Sequence, residues 1–436
     1  MKNSGVEWIG EIPEDWEVKR GKELFFEIND RCKNPENYPL LSVSEYYGVA
    51  PKSEKIDDGD FITHAETLDG YKICQEGDIV QNIMLAWKRA TGMSNYEGLI
   101  SPAYCIYRPF KGVDSKYYHY LFRTDVYADL FKQFSTGIID SRLRLYPAKF
   151  LSLKYAYPPK STQQRIASYL DKKCSKIEET IQNQQQVIEK LKAYKQSLIT
   201  EAVTGKIKIQ NGKVCGKYES YKDSGVEYLG KIPSNWNVKR LRYIGKCQNG
   251  ISKGGEFFGS GYPFVSYGDV YNNLTLPETV SGLIESTPEE QENYSVKAGD
   301  IFFTRTSETI EEVGFTSVCL KTIEKATFAG FVIRVRPFTE ELVPDYSKYY
   351  FSSDAHRRFF VKEMNLVTRA SLSQDLLKRL PVLIPSKEEQ KEISDYLDKK
   401  CTAIDTAIEQ KQKLIEKLTE YKKSLIYECV TGKKEV

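Results

Sequence analysis

The sequence contains few of the residues from which most catalytic and metal sites are built. It has three histidines, His64, His119 and His356, so a histidine-based metal site or nucleophile triad has little material. His119 and His356 fall in helix-like stretches among aromatic residues, where a packing or surface position is expected. The nine cysteines are odd in number and form no C-x-x-C pair, which argues against structural zinc and a disulfide framework. We expect reduced thiols and no metal.

Two cofactor signatures are also missing. No G-x-x-x-x-G-K-[ST] phosphate loop occurs, and no glycine-rich loop of the kind that a methyltransferase needs is found. The one Pro-Pro pair, Pro158-Pro159, precedes a long helical pattern, so a helix N-terminus explains it better than a methyltransferase clamp. The sequence therefore supports neither ATP hydrolysis nor methyl transfer, and we expect no cofactor and no catalytic residue.

Charge and apolar runs limit the partners and the location. The formal net charge is +3, too small to indicate a nucleic-acid partner, so a DNA surface would have to come from local clusters of Lys and Arg. No stretch approaches the roughly 18 uninterrupted apolar residues of a membrane span, and the N-terminus lacks a basic-then-apolar signal pattern. These absences predict a cytoplasmic protein without membrane insertion.

What the sequence does have is an internal repeat. Residues 4–20 return as 224–240, and residues 169–206 return in part as 396–433, whereas the stretches between the repeats share only scattered residues. A constant frame thus carries two different inserts. This layout is typical of a pseudo-two-fold protein that presents two distinct recognition surfaces to one extended ligand.

Each copy of the longer repeat carries residues at alternating steps of four and three that are apolar except at two positions, Gln184 and Lys195 in the first copy and Lys411 and Lys422 in the second. The pattern runs from Leu170 to Ala202 in the first copy and from Leu397 to Cys429 in the second, with Lys, Glu and Gln on the other faces. Such a heptad seam predicts two long coiled-coil helices. We expect them to pair with each other in antiparallel fashion; the alternative is that each packs singly on its own insert.

Proline and glycine indicate where these helices begin and end. Pro158, Pro159 and Pro385 precede them, and Gly205 and Gly432 follow them, as helix starts and stops require. At about 1.5 Å per residue, about 40 helical residues form a rod near 60 Å long.

The inserts are predicted to be small α+β domains. They are rich in Tyr, Phe and β-branched residues with Gly-Asp turns, followed by helical patterns at 115–134 and 346–363. The polar connector after the first helix contains an Asn211-Gly212 turn that predicts a small hairpin. The predicted segments are a first recognition domain (1–157), a central helix (158–206), a linker with the repeated opening segment (207–235), a second recognition domain (236–384) and a distal helix (385–436).

The repeated segments carry a family resemblance. Residues 5–16 (Gly-Val-Glu-Trp-Ile-Gly-Glu-Ile-Pro-Glu-Asp-Trp), residues 158–171 and their second copies resemble the DNA specificity subunit of type I restriction-modification systems. The resemblance covers essentially the whole chain, and the duplicated combination is specific. The first copy departs slightly from the family's usual Glu-Gln before the helix, because it has Gln163-Gln164 there. The second copy has the usual pair, Glu389-Gln390.

The resemblance implies both a function and partners. Each insert would be a target recognition domain that reads one half of a split, asymmetric DNA sequence, and the paired helices would hold the two halves apart. The subunit itself would not be an enzyme, because adenine methylation and ATP-driven cleavage belong to partner subunits in this family. The expected partners are double-stranded DNA, two methyltransferase subunits and restriction subunits. A competing interpretation is a coiled-coil scaffold whose inserts bind proteins, and a weaker one is a self-sufficient nuclease or methyltransferase.

Candidate DNA contacts come from clusters of the residue types that read bases and hold phosphates. In the first insert they are Gln81, Asn82, Lys88, Arg89, Thr136, Ser141, Arg142 and Arg144; in the second they are Lys253, Tyr267, Arg305, Thr306, Ser307, Arg369 and Ser371. Arg142 and Arg369 occupy equivalent positions at the offset of the helix repeat, which is the strongest single indication. For any one of these residues, a solvated surface or an ion pair within the domain is the alternative.

The tryptophans and the basic residues beside them complete the predictions. Trp16 and Trp236 lie in a repeated Trp-x-Val-Lys-Arg pattern and are expected to be core anchors, with the following Lys-Arg pairs as candidate phosphate contacts. Trp87 is also expected in the core.

Overall fold

Helices of very unequal length organise the chain. The computed structural model describes residues 1–33, 35–54, 68, 70–307, 313–363 and 370–436. The helices are α1 (Gly21–Leu24), α2 (Ser115–Phe122), α3 (Asp125–Gln133), α4 (Pro147–Ser152), α5 (Lys160–Val203), α6 (Tyr267–Tyr271), α7 (Pro288–Asn293), α8 (Pro344–Ser352), α9 (Asp354–Glu363), α10 (Gln374–Arg379) and α11 (Lys387–Val430). Short 3-10 helices span Pro35–Asn37, Lys52–Glu54, Ala86–Lys88, Asp140–Arg142, Leu241–Tyr243 and Gly255–Phe257. Among the described residues, no helix has both the length and the apolar character needed to cross a bilayer.

The strands are short and mostly antiparallel. They are β1 (Lys2–Asn3), β2 (Glu11–Ile12), β3 (Glu17–Arg20), β4 (Phe25–Ile28), β5 (Leu41–Ser44), β6 (Gly48–Pro51), β7 (Lys72–Cys74), β8 (Ile79–Asn82), β9 (Thr91–Met93), β10 (Gly98–Ile100), β11 (Tyr104–Pro109), β12 (Lys154–Tyr157), β13 (Ile209–Gln210), β14 (Lys213–Val214), β15 (Tyr221–Asp223), β16 (Lys231–Pro233), β17 (Asn237–Arg240), β18 (Gly245–Asn249), β19 (Phe258–Val265), β20 (Leu283–Ile284), β21 (Ile301–Thr304), β22 (Thr306–Ser307), β23 (Thr316–Val318), β24 (Thr327–Phe328), β25 (Val332–Pro337), β26 (Ala370–Ser371) and β27 (Pro381–Ile384). The mixture of sheets and helices confirms the predicted α+β class. The predicted connector hairpin is also present, as the β13–β14 pair around Asn211 and Gly212.

The two long helices predicted from the heptad seam are confirmed. Both α5 and α11 are 44 residues long and begin within two residues of the predicted proline signals. Gly205 and Gly432 follow their ends with φ of +70° and +73°, the left-handed conformation that closes a helix and that glycine adopts without steric cost. A Cβ at either glycine would lie 2.4 Å from a proline ring atom, so close packing also requires glycine there.

The chain divides into two compact units, and each unit takes part of both long helices. Unit 1 consists of Met1–Gln185 and Gln412–Val436, and unit 2 consists of Gln186–Lys411. The first insert therefore shares a unit with the C-terminal part of α11, which follows it by hundreds of residues. Each unit contains one insert, one copy of the repeated opening segment and two helix segments.

Unit 1 is built on a four-stranded antiparallel sheet in the order β4-β11-β8-β9. Its core combines aromatic residues of α2 and α3 with Trp16, which is buried as predicted, and with residues from both helix segments, including Leu170 and Leu425. Tyr117 donates a hydrogen bond from its hydroxyl to the carbonyl of Val430 at 2.7 Å, and Lys422 of α11 forms an ion pair with Glu178 of α5. Within this unit the first part of α5 thus lies beside the last part of α11.

Unit 2 repeats these features with different residues. Its four-stranded antiparallel sheet has the order β18-β25-β21-β23, and Trp236 is buried in its core with Leu198 and Leu397 of the helix segments. Tyr346 donates to the carbonyl of Val203 at 3.2 Å. Lys195 of α5 pairs with Asp405 of α11 at 2.6 Å.

Each insert begins and ends at neighbouring antiparallel strands. In unit 1, β3 pairs with β12, so that Arg20 faces Lys154. In unit 2, β17 pairs with β27, so that Arg240 faces Pro381. Because both ends of each insert meet at one strand pair, the chain enters and leaves the insert at a single place.

Candidate nucleic-acid interface

A buried ion pair holds the turn that leads into the central strand of each insert. In unit 1, Asp78 accepts hydrogen bonds from Nε and Nη2 of Arg108, both at 2.9 Å, and its side chain is 2% exposed. The bond to this carboxylate raises the pKa of the Arg108 guanidinium. In unit 2, Asp300 accepts from Nε and Nη2 of Arg336 at 2.7 and 2.6 Å. These pairs fix the starts of β8 and β21, beyond which the predicted contact residues lie.

Gln81 and Asn82, predicted as DNA contacts, lie inside the domain. All four residues of β8 are buried, because this strand lies between β11 and β9 in the sheet. Gln81 accepts a hydrogen bond at Oε1 from the Tyr107 hydroxyl at 2.8 Å. Asn82 accepts at Oδ1 from the backbone N–H of Met84 at 3.1 Å. Both side chains therefore shape the strand and its turn, and neither is exposed for a base contact.

The predicted cluster at 136–144 forms a closed surface loop. Thr136 and Arg144 exchange backbone hydrogen bonds at 2.9 and 3.0 Å. Between them, Ser141 and Arg142 are exposed, whereas the Arg144 guanidinium turns back and donates to the carbonyl of Leu143 at 2.8 Å. The loop thus directs Ser141 and Arg142 towards solvent, and Arg144 stabilises its base.

The structure brings the two predicted clusters of the first insert together. Leu145, just after the loop, donates its N–H to the carbonyl of Ile83 after β8 at 2.9 Å. Lys132 of α3 bridges the clusters, since its Nζ lies 2.8 Å from Asp140 and 4.9 Å from the centre of the half-buried Trp87 ring. Lys88 lies 5.3 Å from the same ring. We name the resulting exposed area the unit 1 surface, formed by Lys88, Lys132, Ser141, Arg142 and Arg144.

Arg89 lies beside this surface in a structural role. It has φ of +68°, its guanidinium pairs with Asp125, and its carbonyl accepts from Arg123 at 2.7 Å. This ion pair joins the end of the Ala86–Lys88 turn to α3. The Arg89 side chain thus makes its contact within the domain.

The two predicted clusters that follow β21 in the second insert also meet. Thr306 pairs with Ser371 in the β22–β26 ladder, and Arg305 accepts at its carbonyl from the N–H of Leu372 at 2.7 Å. Arg305 also donates its backbone N–H to the carbonyl of Phe331 at 2.9 Å. We name this area the unit 2 surface, formed by Arg305, Thr306, Phe331 and Ser371. Ser307 belongs to the same ladder through its backbone; Arg369, like His64, lies outside the described residues.

Lys253 and Tyr267 make contacts within unit 2, outside the unit 2 surface. The Lys253 ammonium pairs with Glu290 at 2.7 Å and donates to the carbonyl of Glu285 at 2.8 Å, and its side chain is 16% exposed. The Lys253 pair lowers the pKa of Glu290. Tyr267 starts α6 and stacks on Tyr271 with ring centres 5.8 Å apart. A domain-internal ion pair, the alternative named above, thus describes Lys253 in this structure.

The lysines of the repeated Trp-x-Val-Lys-Arg pattern make contacts within their units. Lys19 lies 3.6 Å from the centre of the Tyr157 ring, and Lys239 forms an ion pair with Glu341 at 2.5 Å. The first contact joins the start of its insert to β12, and the second joins the start of its insert to the segment before α8. Arg20 and Arg240 are exposed.

Two histidines, His119 and His356, lie in the described part of the chain, and both imidazoles are desolvated. Desolvation lowers the pKa of both His119 and His356 to about 3, so both imidazoles are neutral at physiological pH. His119 accepts at Nδ1 from the N–H of Met93 at 3.2 Å. Across the described ranges, no group of three or more His, Cys, Asp or Glu side chains could hold a metal ion.

Three exposed residues in or beside these surfaces, Lys132, Ile138 and Phe331, were not predicted from the sequence. Lys132 gave no signal, because its proximity to Trp87 is tertiary. Ile138 and Phe331 are 100% and 64% exposed. The isoleucine could have been noticed as part of an Ile-Ile pair between Gly137 and Asp140, since adjacent apolar residues are unusual in a polar loop.

Comparisons with known proteins place this geometry in context. A family model for the "Type I restriction modification DNA specificity domain" matches residues 233–419. The chain is 23% identical over 447 residues to the type I restriction enzyme EcoKI specificity subunit of Escherichia coli K12, covering 97% of this chain and 90% of the relative. It is 25% identical over 440 residues to the MjaVIII specificity subunit of Methanocaldococcus jannaschii, covering 97% and 93%.

Solved structures share the fold at low identity. A chain from a study of complex assembly and conformational transition of the type I R-M system matches with a TM-score of 0.71 and 13% identity, covering 96% of this chain and 98% of that one. The HsdS subunit from Thermoanaerobacter tengcongensis matches with a TM-score of 0.57 and 14% identity over 100% of both chains.

Proposed function

We propose that this chain, which belongs to the type I restriction-modification DNA specificity family, reads a bipartite, asymmetric DNA target with one insert for each part. In this proposal it positions partner methyltransferase and restriction subunits on that DNA and contributes no catalytic residue itself. The observation that supports it most is that matched frames carry different exposed surfaces. The buried Asp-Arg pairs and the junction strands recur in both units, whereas the unit 1 and unit 2 surfaces present different side chains.

In the first insert, the proposed contacts come from the unit 1 surface. Arg142 is exposed, and a guanidinium can donate two parallel hydrogen bonds to O6 and N7 of guanine. Lys88 lies on the same surface and suits a phosphate oxygen, a contact that positions a protein without reading sequence. Lys132 is paired with Asp140 and holds the loop that carries Arg142. Gln81 and Asn82 are left out because they are buried.

In the second insert, the proposed contacts come from the unit 2 surface. Arg305 follows the central strand at the place that Ile83 occupies in unit 1, because Leu145 and Leu372 bond to these two carbonyls. Thr306 and Ser371 add hydroxyl groups suited to phosphates or base edges. Arg369 remains a predicted contact on the strength of its sequence position alone.

The long helices have a proposed role as a spacer. A split site on duplex DNA requires two reading domains at a fixed separation and helical phase, and helices supply this better than a flexible tether. Each unit includes segments of both α5 and α11. This distribution favours helices that are integral to both reading domains over helices that serve as a detachable linker.

Mapping methylated adenines tests the proposal. The chain would be expressed with its partner methyltransferase subunits in cells that lack other adenine methylation, and the genome would be sequenced by a method that detects methyladenine directly. We expect one asymmetric motif made of two specified parts separated by an unspecified spacer. A continuous motif, or methylation that persists when this chain is omitted, would contradict the proposal.

A binding assay separates DNA reading from a protein-binding scaffold. The purified complex should shift a duplex that contains the mapped motif, and its affinity should fall steeply with salt, because phosphate contacts release counterions. A duplex of the same length and composition without the motif serves as the control. Equal affinity for the two duplexes would favour a scaffold whose specificity lies in a partner.

A further inference from the structure

Two adjacent isoleucines stand at the tip of the loop between Thr136 and Arg144. Ile138 is 100% exposed and Ile139 is 53% exposed. Single exposed apolar side chains are common on protein surfaces. Here, however, two β-branched side chains lie together in a loop whose other exposed residues are polar or charged. A fully exposed isoleucine side chain adds no free energy of apolar burial to the folded chain. We therefore expect this side chain to be buried in a complex.

The loop is held in one conformation before any ligand arrives. Besides the paired backbone bonds at its base, Arg142 donates its N–H to the carbonyl of Ile139 at 2.8 Å, and Asp140 is held by Lys132 at 2.8 Å. Gly137 permits the two sides to approach, since a Cβ there would lie 2.6 Å from the carbonyl oxygen of Arg142. A loop already ordered loses little conformational entropy on binding.

The charge around the tip of the loop indicates which kind of ligand it binds. Lys88, Lys132, Arg142 and Arg144 lie in or beside the loop. They outnumber its one carboxylate, Asp140, so the apolar tip belongs to a basic surface that suits nucleic acid. In the major groove, thymine is the base that offers an apolar group, its C5-methyl, beside the acceptors that an arginine fork recognises on guanine. The minor groove offers no such methyl group. An aliphatic tip next to an exposed arginine therefore matches the major groove.

We infer that Ile138 is a specificity-determining residue that packs against the C5-methyl group of a thymine in the half-site read by unit 1. This inference rests on the proposed function. Arg142 beside it provides hydrogen bonds, and Ile138 provides apolar contact, so that one loop reads two kinds of base edge.

Replacing thymine by uracil tests the inference, because uracil keeps the base pair and lacks only the methyl group. Binding of the complex of this chain with its methyltransferase subunits would be measured on the mapped motif, with each thymine replaced in turn. We expect one replacement in the unit 1 half-site to weaken binding about fourfold, as the loss of one buried methyl predicts. Ile138→Ala should cause a similar loss on unmodified DNA, and Ile138→Val a smaller one. The same uracil should then have no further effect on Ile138→Ala.

Val214→Ala is the matched control, since Val214 is another exposed β-branched residue, 44% exposed, on the connector hairpin. It should leave binding to every duplex unchanged. The inference fails if no single uracil weakens binding, or if the uracil and Ile138→Ala losses multiply as independent effects. Either result with intact binding to the motif leaves the proposed function standing. A complex that does not bind the motif at all would refute the proposed function instead.

Discussion

A leucine near the C-terminus should stabilise the first insert. Leu425 of α11 is 1% exposed and belongs to the core of unit 1. Leu198 of α5 is 6% exposed and belongs to the core of unit 2. Because each leucine belongs to the core of a different unit, Leu425→Ala should destabilise unit 1, and Leu198→Ala should destabilise unit 2. Chain order alone would predict the opposite assignment.

The expected magnitude follows from the burial of these side chains. Truncating a buried leucine to alanine removes its apolar contacts and leaves a cavity, which costs about 2 to 5 kcal/mol. Since about 1.4 kcal/mol corresponds to a factor of ten, the equilibrium for opening the affected unit should increase about 30-fold to a few thousand-fold. Because Leu198 is slightly less buried, the cost of Leu198→Ala should lie towards the lower end of this range.

Hydrogen exchange followed by mass spectrometry measures this effect in each unit separately. The reporters are α2 in unit 1 and α8 in unit 2, since both helices contribute buried tyrosines to their cores. Leu425→Ala should accelerate exchange in α2 and leave α8 near its wild-type rate, and Leu198→Ala should do the reverse. Faster exchange in α8 than in α2 for Leu425→Ala would refute the division into units. Equal acceleration of both would show that the units unfold together.

Three further predictions concern DNA reading. Arg142→Ala should weaken binding to the mapped motif by about 1 to 3 kcal/mol and relax the base preference at one position. The unfolding temperature should not change, because the side chain is exposed. Arg142→Lys should restore little of the binding, since lysine lacks the planar fork, and full rescue by lysine would indicate a phosphate contact. Inserting four helical residues after both Gln185 and Lys411, at the boundaries between units, adds about 6 Å to each helix and should lengthen the spacer in the methylation map, so an unchanged spacer would contradict the proposed spacer role. Replacing residues 20–157 by a copy of 240–384 should convert the target into an inverted repeat of the second half-site, because both inserts join the frame at matched strand pairs; a map that still contains the first half-site would contradict independent reading.

Features that depend on near neighbours in the chain could be predicted from the sequence. The heptad seam with its flanking prolines and glycines predicted α5 and α11, because helix formation and helix ends are governed by residues within a few positions. The Asn-Gly turn predicted the connector hairpin for the same reason. The repeated Trp-x-Val-Lys-Arg pattern predicted that Trp16 and Trp236 are buried, since large aromatic residues in strand patterns are seldom left in water.

Features that depend on distant segments were decided only by the tertiary structure. Gln81 carries the chemistry of an adenine reader, yet β8 is a central strand covered on both sides, which no local pattern reveals. Lys253 looks like a free cation until Glu290 is placed beside it. The hydroxyl of Tyr117 bonds to Val430, 313 positions later, so the completion of unit 1 by the end of α11 rests on contacts between residues far apart in the chain. Periodicity specifies which face of a helix is apolar, but only packing decides which surface covers that face.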